Sequence, residues 1–165
     1  MTLRAPAVLT AVVMFATSVF GQTPAPSALS IDVAQSIAME AITKCRGDGY
    51  KVSVLVVDNL NAPKLLLRDD GAPATSTDVV KMKATAALVY NRASGPAPPV
   101  PGAAPAPPAK PGQFFFGNGM NAQGAVLIIV DGMTIGAVAV SGAPGGDKDA
   151  ACASEGIARA AEKVK

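Results

Sequence analysis

Gly124-Ala-Val-Leu-Ile-Ile-Val-Asp131-Gly132-Met-Thr-Ile-Gly136-Ala-Val-Ala-Val-Ser141-Gly142 is the stretch whose reading decides the fold. Two β-branched apolar runs flank Asp131-Gly132, a dipeptide suited to the positive φ angles of a two-residue type I′ turn. The stretch therefore reads as a tight antiparallel hairpin. Both of its strands are apolar at nearly every position, a pattern that predicts a hairpin in the middle of a sheet covered on both faces.

On the C-terminal side, Gly142-Ala-Pro-Gly145-Gly146 leads to Asp147, a suitable N-cap for a last helix. Ala151, Ser154, Ile157, Ala158, Ala161 and Val164 give that helix an apolar stripe, with Cys152 beside it. The glycine turn has the form of an anion-binding loop, but Asp147 and Asp149 would repel a phosphate, so it reads as a turn and a cap. On the N-terminal side, residues 95–112 are dense in proline and read as an exposed polyproline spacer inserted into the domain. Phe114-Phe115-Phe116 follow and are expected to pack on a core edge, whereas Gly117-Asn118-Gly119 is too short for a phosphate loop.

In the first half, Ser30 is a plausible N-cap and Asp32 suits the first turn of a helix. Ile31, Ala34, Ile37, Ala38, Ala41, Ile42 and Cys45 recur at spacings of three and four, before Gly47 and Gly49 end the helix. Val52 to Val57 reads as a central strand with Lys64 to Arg68 as its hairpin partner, followed by a loop from Asp69 to Pro73. A second helix is expected from about Asp78 to Arg92, capped by Ser76 or Thr77. Its apolar side carries Val79, Met82, Ala86 and Val89, interrupted by Lys81, Lys83 and Thr85. Hairpins separated by helices argue an α+β fold: a central antiparallel β-sheet flanked by helices, in a single domain.

Residues 1–21 have the layout of a secretory signal peptide: Arg4, an apolar stretch from Ala7 to Phe20, then small residues. Residues 22–29 read as a flexible tether and 30–165 as the domain, located in the periplasm or secreted, with no stable membrane insertion after cleavage. Without Arg4, 13 basic residues face 12 acidic ones, a balance that offers no electrostatic footprint for nucleic acid. Cys45 and Cys152 either form a disulfide, as an even count in an oxidising compartment favours, or are separate buried thiols on two helices. The chain contains no histidine, which removes Ser-His-Asp and Cys-His hydrolysis and histidine-ligated zinc or heme.

The residues that carry chemistry are few. Asp69-Asp70, with Asp58, are oxygen donors for a hard cation, but Arg68 is adjacent and no EF-hand spacing exists, so a solvated turn is expected and no metal site. Lys83 is read either as snorkelling outward or as lining a cleft mouth beside the Asp70–Thr75 loop; Thr85 either joins it or bonds a carbonyl one turn earlier.

Taken in order, Val-Ser-Val-Leu-Val-Val-Asp58, Leu-Arg-Asp-Asp70-Gly71-Ala72-Pro73, Lys83-Ala-Thr85-Ala-Ala, Ile-Val-Asp131-Gly132-Met-Thr-Ile-Gly136-Ala-Val-Ala-Val-Ser141-Gly142 and Asp149-Ala-Ala-Cys152 form a set. This set resembles the GlcG/HbpS family of heme-binding-like proteins, related to the C-terminal domain of PduO-type adenosyltransferases. The resemblance covers about Leu29 to Ile157 and implies an α+β domain, a homo-oligomer and a small-molecule ligand, with heme the first to try. It implies no demonstrated reaction, and no catalytic residue is assigned. The expected ligand-binding residues are Asp70, Thr75, Lys83, Thr85 and Ser141. Family members often carry histidine after the Asp-Gly-Ala motif, where this chain has Ala74, Thr75 and Ser76. Iron ligation would then fall to Thr75, Thr85, Tyr90, Met82, a cysteine or an external ligand. Two other readings are an enzyme or accessory subunit using an Asp/Lys cleft of Asp70, Lys83 and Ser141, and a non-binding oligomeric scaffold.

Overall fold

The computed structural model describes Met1, residues 29–96 and residues 122–163. The expected leader beyond Met1, the tether up to residue 28, the proline-rich insertion from residue 97 onward and Phe114 to Phe116 lie outside the described residues. Leu29, assigned to the tether, is buried in the core.

The elements are α1 (Ile31–Gly47), β1 (Ser53–Asp58), β2 (Pro63–Arg68), α2 (Ser76–Tyr90), β3 (Ala125–Val130), β4 (Met133–Ser141) and α3 (Gly146–Lys163). All strand pairs are antiparallel in the order β2-β1-β4-β3, which gives the α+β architecture read from the sequence. The Asp131-Gly132 turn has φ of 50° and 76°, the left-handed pair that type I′ requires. Only half of this hairpin is central, however. β4 lies between β1 and β3, while β3 is an edge strand whose last residues Ile129 and Val130 are exposed. An apolar run shows that a strand is buried for part of its length; it does not show how many neighbours the strand has.

Side chains alternate between two covered faces. On one, Val54, Val56, Ile128, Val138 and Val140 pack with Ile37, Ala41, Ile42 and Cys152 of α1 and α3. On the other, Leu55, Val57, Ala125, Ala137 and Ala139 meet Val80, Ala84 and Ala87 of α2. Register shifts between Ile128 and Ile129, leaving Ile135 as an extra residue on β4. This bulge returns Ile135 to the same cluster as Ile128 and Val138.

Two helix stripes differ from their expected positions for one reason. In α2 the buried positions are Ser76, Val80, Lys83, Ala84, Ala86 and Ala87; of the expected stripe Ala86 is buried, Val79 and Met82 are half-buried and Val89 is exposed. In α3 they are Asp149, Cys152, Ala153, Gly156 and Ala160, while Ala151, Ser154, Ala158 and Ala161 are exposed. Both helices approach their neighbours through small residues, so the largest apolar side chains do not mark the buried face. At Gly156 an added Cβ would lie 2.7 Å from the Ile37 carbonyl oxygen and 2.9 Å from the Ala41 Cβ. Gly156→Ala is therefore expected to force α1 and α3 apart and cost about 1 to 3 kcal/mol, as overpacking does, measured by urea denaturation.

Cys45 and Cys152 form a disulfide between α1 and α3, with Cα atoms 5.6 Å apart. Both are fully buried, and the alternative of two separate thiols is thereby closed.

Candidate functional site

The residues expected to line one cleft are distributed around α2. Lys83 and Thr85 leave the helix in different directions. The Lys83 ammonium reaches the far end of β4, where it donates to the Val140 carbonyl at 2.9 Å and to Asp149 Oδ2 at 2.7 Å. The Thr85 hydroxyl donates to the Lys81 carbonyl and accepts from the Asn61 amide in the β1–β2 turn, both at 2.9 Å. Ser141 is buried opposite Ser53 on the sheet face under α2, where Ser53 Oγ meets Ser76 Oγ at 2.7 Å. Asp70 and Thr75 are exposed on the loop between β2 and α2.

Lys83 does not snorkel to solvent; it is 3% exposed. Val140 pairs with Gly124 at the start of β3, and there the lysine takes the place of a further strand amide. Gly124 leaves room for it, since a Cβ at this position would lie 2.6 Å from Nζ, and the backbone φ is +133°. Asp149 completes the arrangement by accepting the Ala143 amide at Oδ1. It thereby folds the turn before α3 onto its own first turn. Gly145, whose carbonyl accepts from Lys148 and Asp149, opens the helix, so Asp147 lies inside the first turn and is not the cap. Neither Ser76 nor Thr77 is the N-cap of α2; Thr75 holds that position without a side-chain bond, while the two hydroxyls donate to Pro73 and Ala74 carbonyls. Burial pushes the Lys83 ammonium below its ordinary pKa and the Asp149 carboxyl above its own, against the attraction between them.

Asp69 is a second buried carboxylate, and sequence reasoning placed it in a solvated turn. Arg46, at the end of α1, donates to it through Nε at 3.0 Å and Nη2 at 2.6 Å, and Lys51 lies 3.8 Å away. The bidentate pair fastens α1 to the β2–α2 loop. Asp58 lies at the other end of the hairpin, where its carboxylate accepts the Leu60 and Ala62 amides. The aspartates therefore do not converge, and no metal-binding group of acidic or sulfur side chains occurs among the described residues.

The Arg46 hydrogen bond holds the Asp69 carboxyl below its ordinary pKa. The folded state then resists protonating Asp69 more than the unfolded chain does, so its stabilisation is complete above the unfolded value of about 4 and is lost as pH falls through the lower folded value. Thermal melts from pH 6 to 2 should show this loss. Asp69→Asn should flatten the acid limb, and an unchanged limb would assign the sensitivity elsewhere.

The other exposed feature is an apolar rim at the turn end of the sheet. Leu60, Val89, Tyr90, Ile129, Val130 and Met133 are all exposed there. Asn61 bonds to Thr85 and the Thr134 hydroxyl meets Asn91 Oδ1 at 3.3 Å, so both strand turns are tied to α2. Sequence reading had assigned Val89 to the buried side of α2, and so did not anticipate this rim.

The implied heme can be tested against the available donors. The chain has no imidazole, and both sulfurs of its cysteines are in the disulfide. Lys83 and Thr85 are engaged with protein partners. Of the five residues expected to bind the ligand, Lys83 and Ser141 are buried while Asp70, Thr75 and Thr85 are exposed.

An antiparallel four-stranded sheet with two helices on one face and one on the other defines a small α+β class. The family model described as "Haem degrading protein HbpS-like" matches residues 29–158, and the chain belongs to that family. Among solved structures, a double mutant of HbpS from Streptomyces reticuli is 24% identical, with a TM-score of 0.66, and the match covers 93% of this chain and 98% of that one. The ORFY protein of Klebsiella pneumoniae is 21% identical, TM-score 0.66, with 87% and 98% covered. PduOC, solved as a heme complex, is 23% identical, TM-score 0.63, with 79% and 94% covered. At these identities the structures establish the shared fold. No curated protein matches the chain.

Proposed function

We propose that this protein is an exported, homo-oligomeric binding protein for heme or a similar flat ligand, with no enzymatic activity of its own. The observation that carries the reading is the HbpS-like match across nearly the whole described domain. The disulfide supports export, because such bonds persist in oxidising compartments. No described helix is long and apolar enough to cross a membrane. The apolar rim supports a flat ligand, a contact between copies, or both in different states. An acid/base enzyme built on Asp70 and Lys83 is the weaker reading, since Lys83 is buried and paired with Asp149.

Titrating the purified protein with hemin should give a shifted, saturable Soret band. A spectrum identical to free hemin would overturn the heme reading. Incubation with hemin and a reductant should leave that band intact; its progressive loss with iron release would replace a binder with a degrading enzyme. Light scattering should report an oligomer, and a monomer at all concentrations would remove that part of the proposal.

A further inference from the structure

We infer that the outer edge of β3 pairs antiparallel with the same edge of a second copy of this chain, so that two four-stranded sheets join into one. The inference rests on the homo-oligomeric part of the reading above and names the surface that carries it. β3 is an edge strand, and the side of it away from β4 can be traced residue by residue. Ser94 occupies the first position there: its amide donates to the Ala125 carbonyl at 3.0 Å, and its Oγ accepts from the Ala125 amide at 2.9 Å. Ala125 therefore faces outward, and by the alternation of an antiparallel ladder so do Leu127 and Ile129. The bulge leaves this alternation intact, because its extra residue, Ile135, lies on β4. The N–H and C=O groups of Leu127 and Ile129 on that side have no partner among the described residues.

An open edge of this kind is a template for a further strand, and edges that stay solvated carry proline, charges or bulges that discourage one. The two edges of this sheet differ in that respect. β2 begins with Pro63 and carries Lys64 and Arg68. β3 reads Ala-Val-Leu-Ile-Ile-Val and has neither proline nor charge, with Ile129 57% and Val130 37% exposed. Charge also selects the partner. A two-fold axis through Ile128 sets Leu127 beside the partner's Ile129 and Val126 beside the partner's Val130. Every opposed pair is then apolar, and each Leu127–Ile129 pair can exchange both of its hydrogen bonds. The same operation on β2, about Leu66, would oppose Lys64 to the partner's Arg68, a like-charge pair. The helices leave room for the joined sheet. α2 packs across β1, β4 and β3 and is centred on β4. Three strand spacings of about 4.8 Å then set it about 14 Å from its copy, more than the roughly 8 to 10 Å of packed helices. On the opposite face α3 lies over β3 and β4, and about two spacings bring it to helix-packing distance of its copy.

Sedimentation velocity on the purified protein over a range of concentrations, with hydrogen exchange resolved by residue, tests the pairing. Wild type should sediment as a dimer or a multiple of one, with the Leu127 and Ile129 amides protected and their protection falling on dilution. Ile129→Lys changes a solvent-facing side chain and no bond to β4. It should raise the dissociation constant on the order of a hundredfold, since two like charges then lie in the apolar centre of the interface. Leu127→Pro removes an outward N–H, a change that edge strands tolerate, and should weaken assembly as well. Circular dichroism should be unchanged in both variants. Leu66→Lys, at a 39% exposed position on the β2 edge, should assemble as wild type does. An oligomer that survives both β3 variants, or that Leu66→Lys dissolves instead, would overturn the inference and leave the homo-oligomeric reading in place. A wild type that is monomeric at every concentration would overturn both, and protection of Leu127 and Ile129 in that monomer would show the edge covered by the chain itself.

Discussion

Replacing Lys83 with alanine is expected to destabilise the fold by about 3 to 5 kcal/mol, the range for removing one partner of a buried ion pair. The variant leaves the Asp149 carboxylate 4% exposed with its remaining bond to the Ala143 amide, and it leaves the Val140 carbonyl without its donor. Asp149→Ala should cost a similar amount, because it strands the ammonium. A double variant, Lys83→Met with Asp149→Asn, should recover much of either loss, since the cost of a broken buried pair is mostly that of the charge left behind. Urea denaturation at neutral pH measures all of these, and single variants within about 0.5 kcal/mol of wild type would show that water reaches the pair and solvates it. The effect is also directional. Lys83 joins α2 on one face of the sheet to α3 on the other, so hydrogen exchange in the first turns of α3 should rise in Lys83→Ala before exchange in β1 does.

Residues whose local chemistry admits one answer were read correctly from the sequence. Asp131-Gly132 required a type I′ turn, and the period of Ile31, Ala34, Ile37, Ala38, Ala41, Ile42 and Cys45 required a helix buried on that side; all are buried except Ile31, which is exposed at the first helical position. Export and the proline insertion are not tested by the described residues. The readings that went astray share a physical cause. In α2 and α3 the buried face consists largely of small residues, with Val80, Lys83 and Asp149 among them, and hydrophobicity ranks the small residues below the valines and isoleucines that the structure leaves partly exposed. The signal that was available is size. Alanine-rich sheet positions Ala125, Ala137 and Ala139 face Ala84 and Ala87, and small residues on both sides indicate close backbone approach. The site was legible only in part. Lys83 stood out as a polar intrusion, but its partner lies 66 positions away, and no local pattern links it to Asp149. Asp69 and Asp70 are adjacent and chemically identical, yet one is buried against Arg46 and the other is exposed; only tertiary structure separates them.

Removing the disulfide is expected to be as costly as breaking the ion pair, and for a different reason. The bond closes a sequence separation of 107 that includes every strand and α2. In the chain-entropy model a loop of about 100 residues is worth about 4.7 kcal/mol at 25 °C, much of it through restriction of the unfolded chain. The native state has reason to depend on it: α1 and α3 meet through Ala41, Ala153, Gly156 and Ala160, residues that bury little apolar area apiece. A Cys45→Ala, Cys152→Ala variant should lose about 3 to 5 kcal/mol in urea at neutral pH. Its denaturation slope should also rise, because an uncrosslinked unfolded chain exposes more surface. A loss of stability with no change in slope would place the effect in native packing. In the wild type both sulfurs are fully buried, so reductant should break the bond only as fast as the domain opens. Measured against denaturant, the reduction rate should climb with the unfolded population; fast reduction in buffer alone would show that α1 and α3 separate locally while the sheet stays folded.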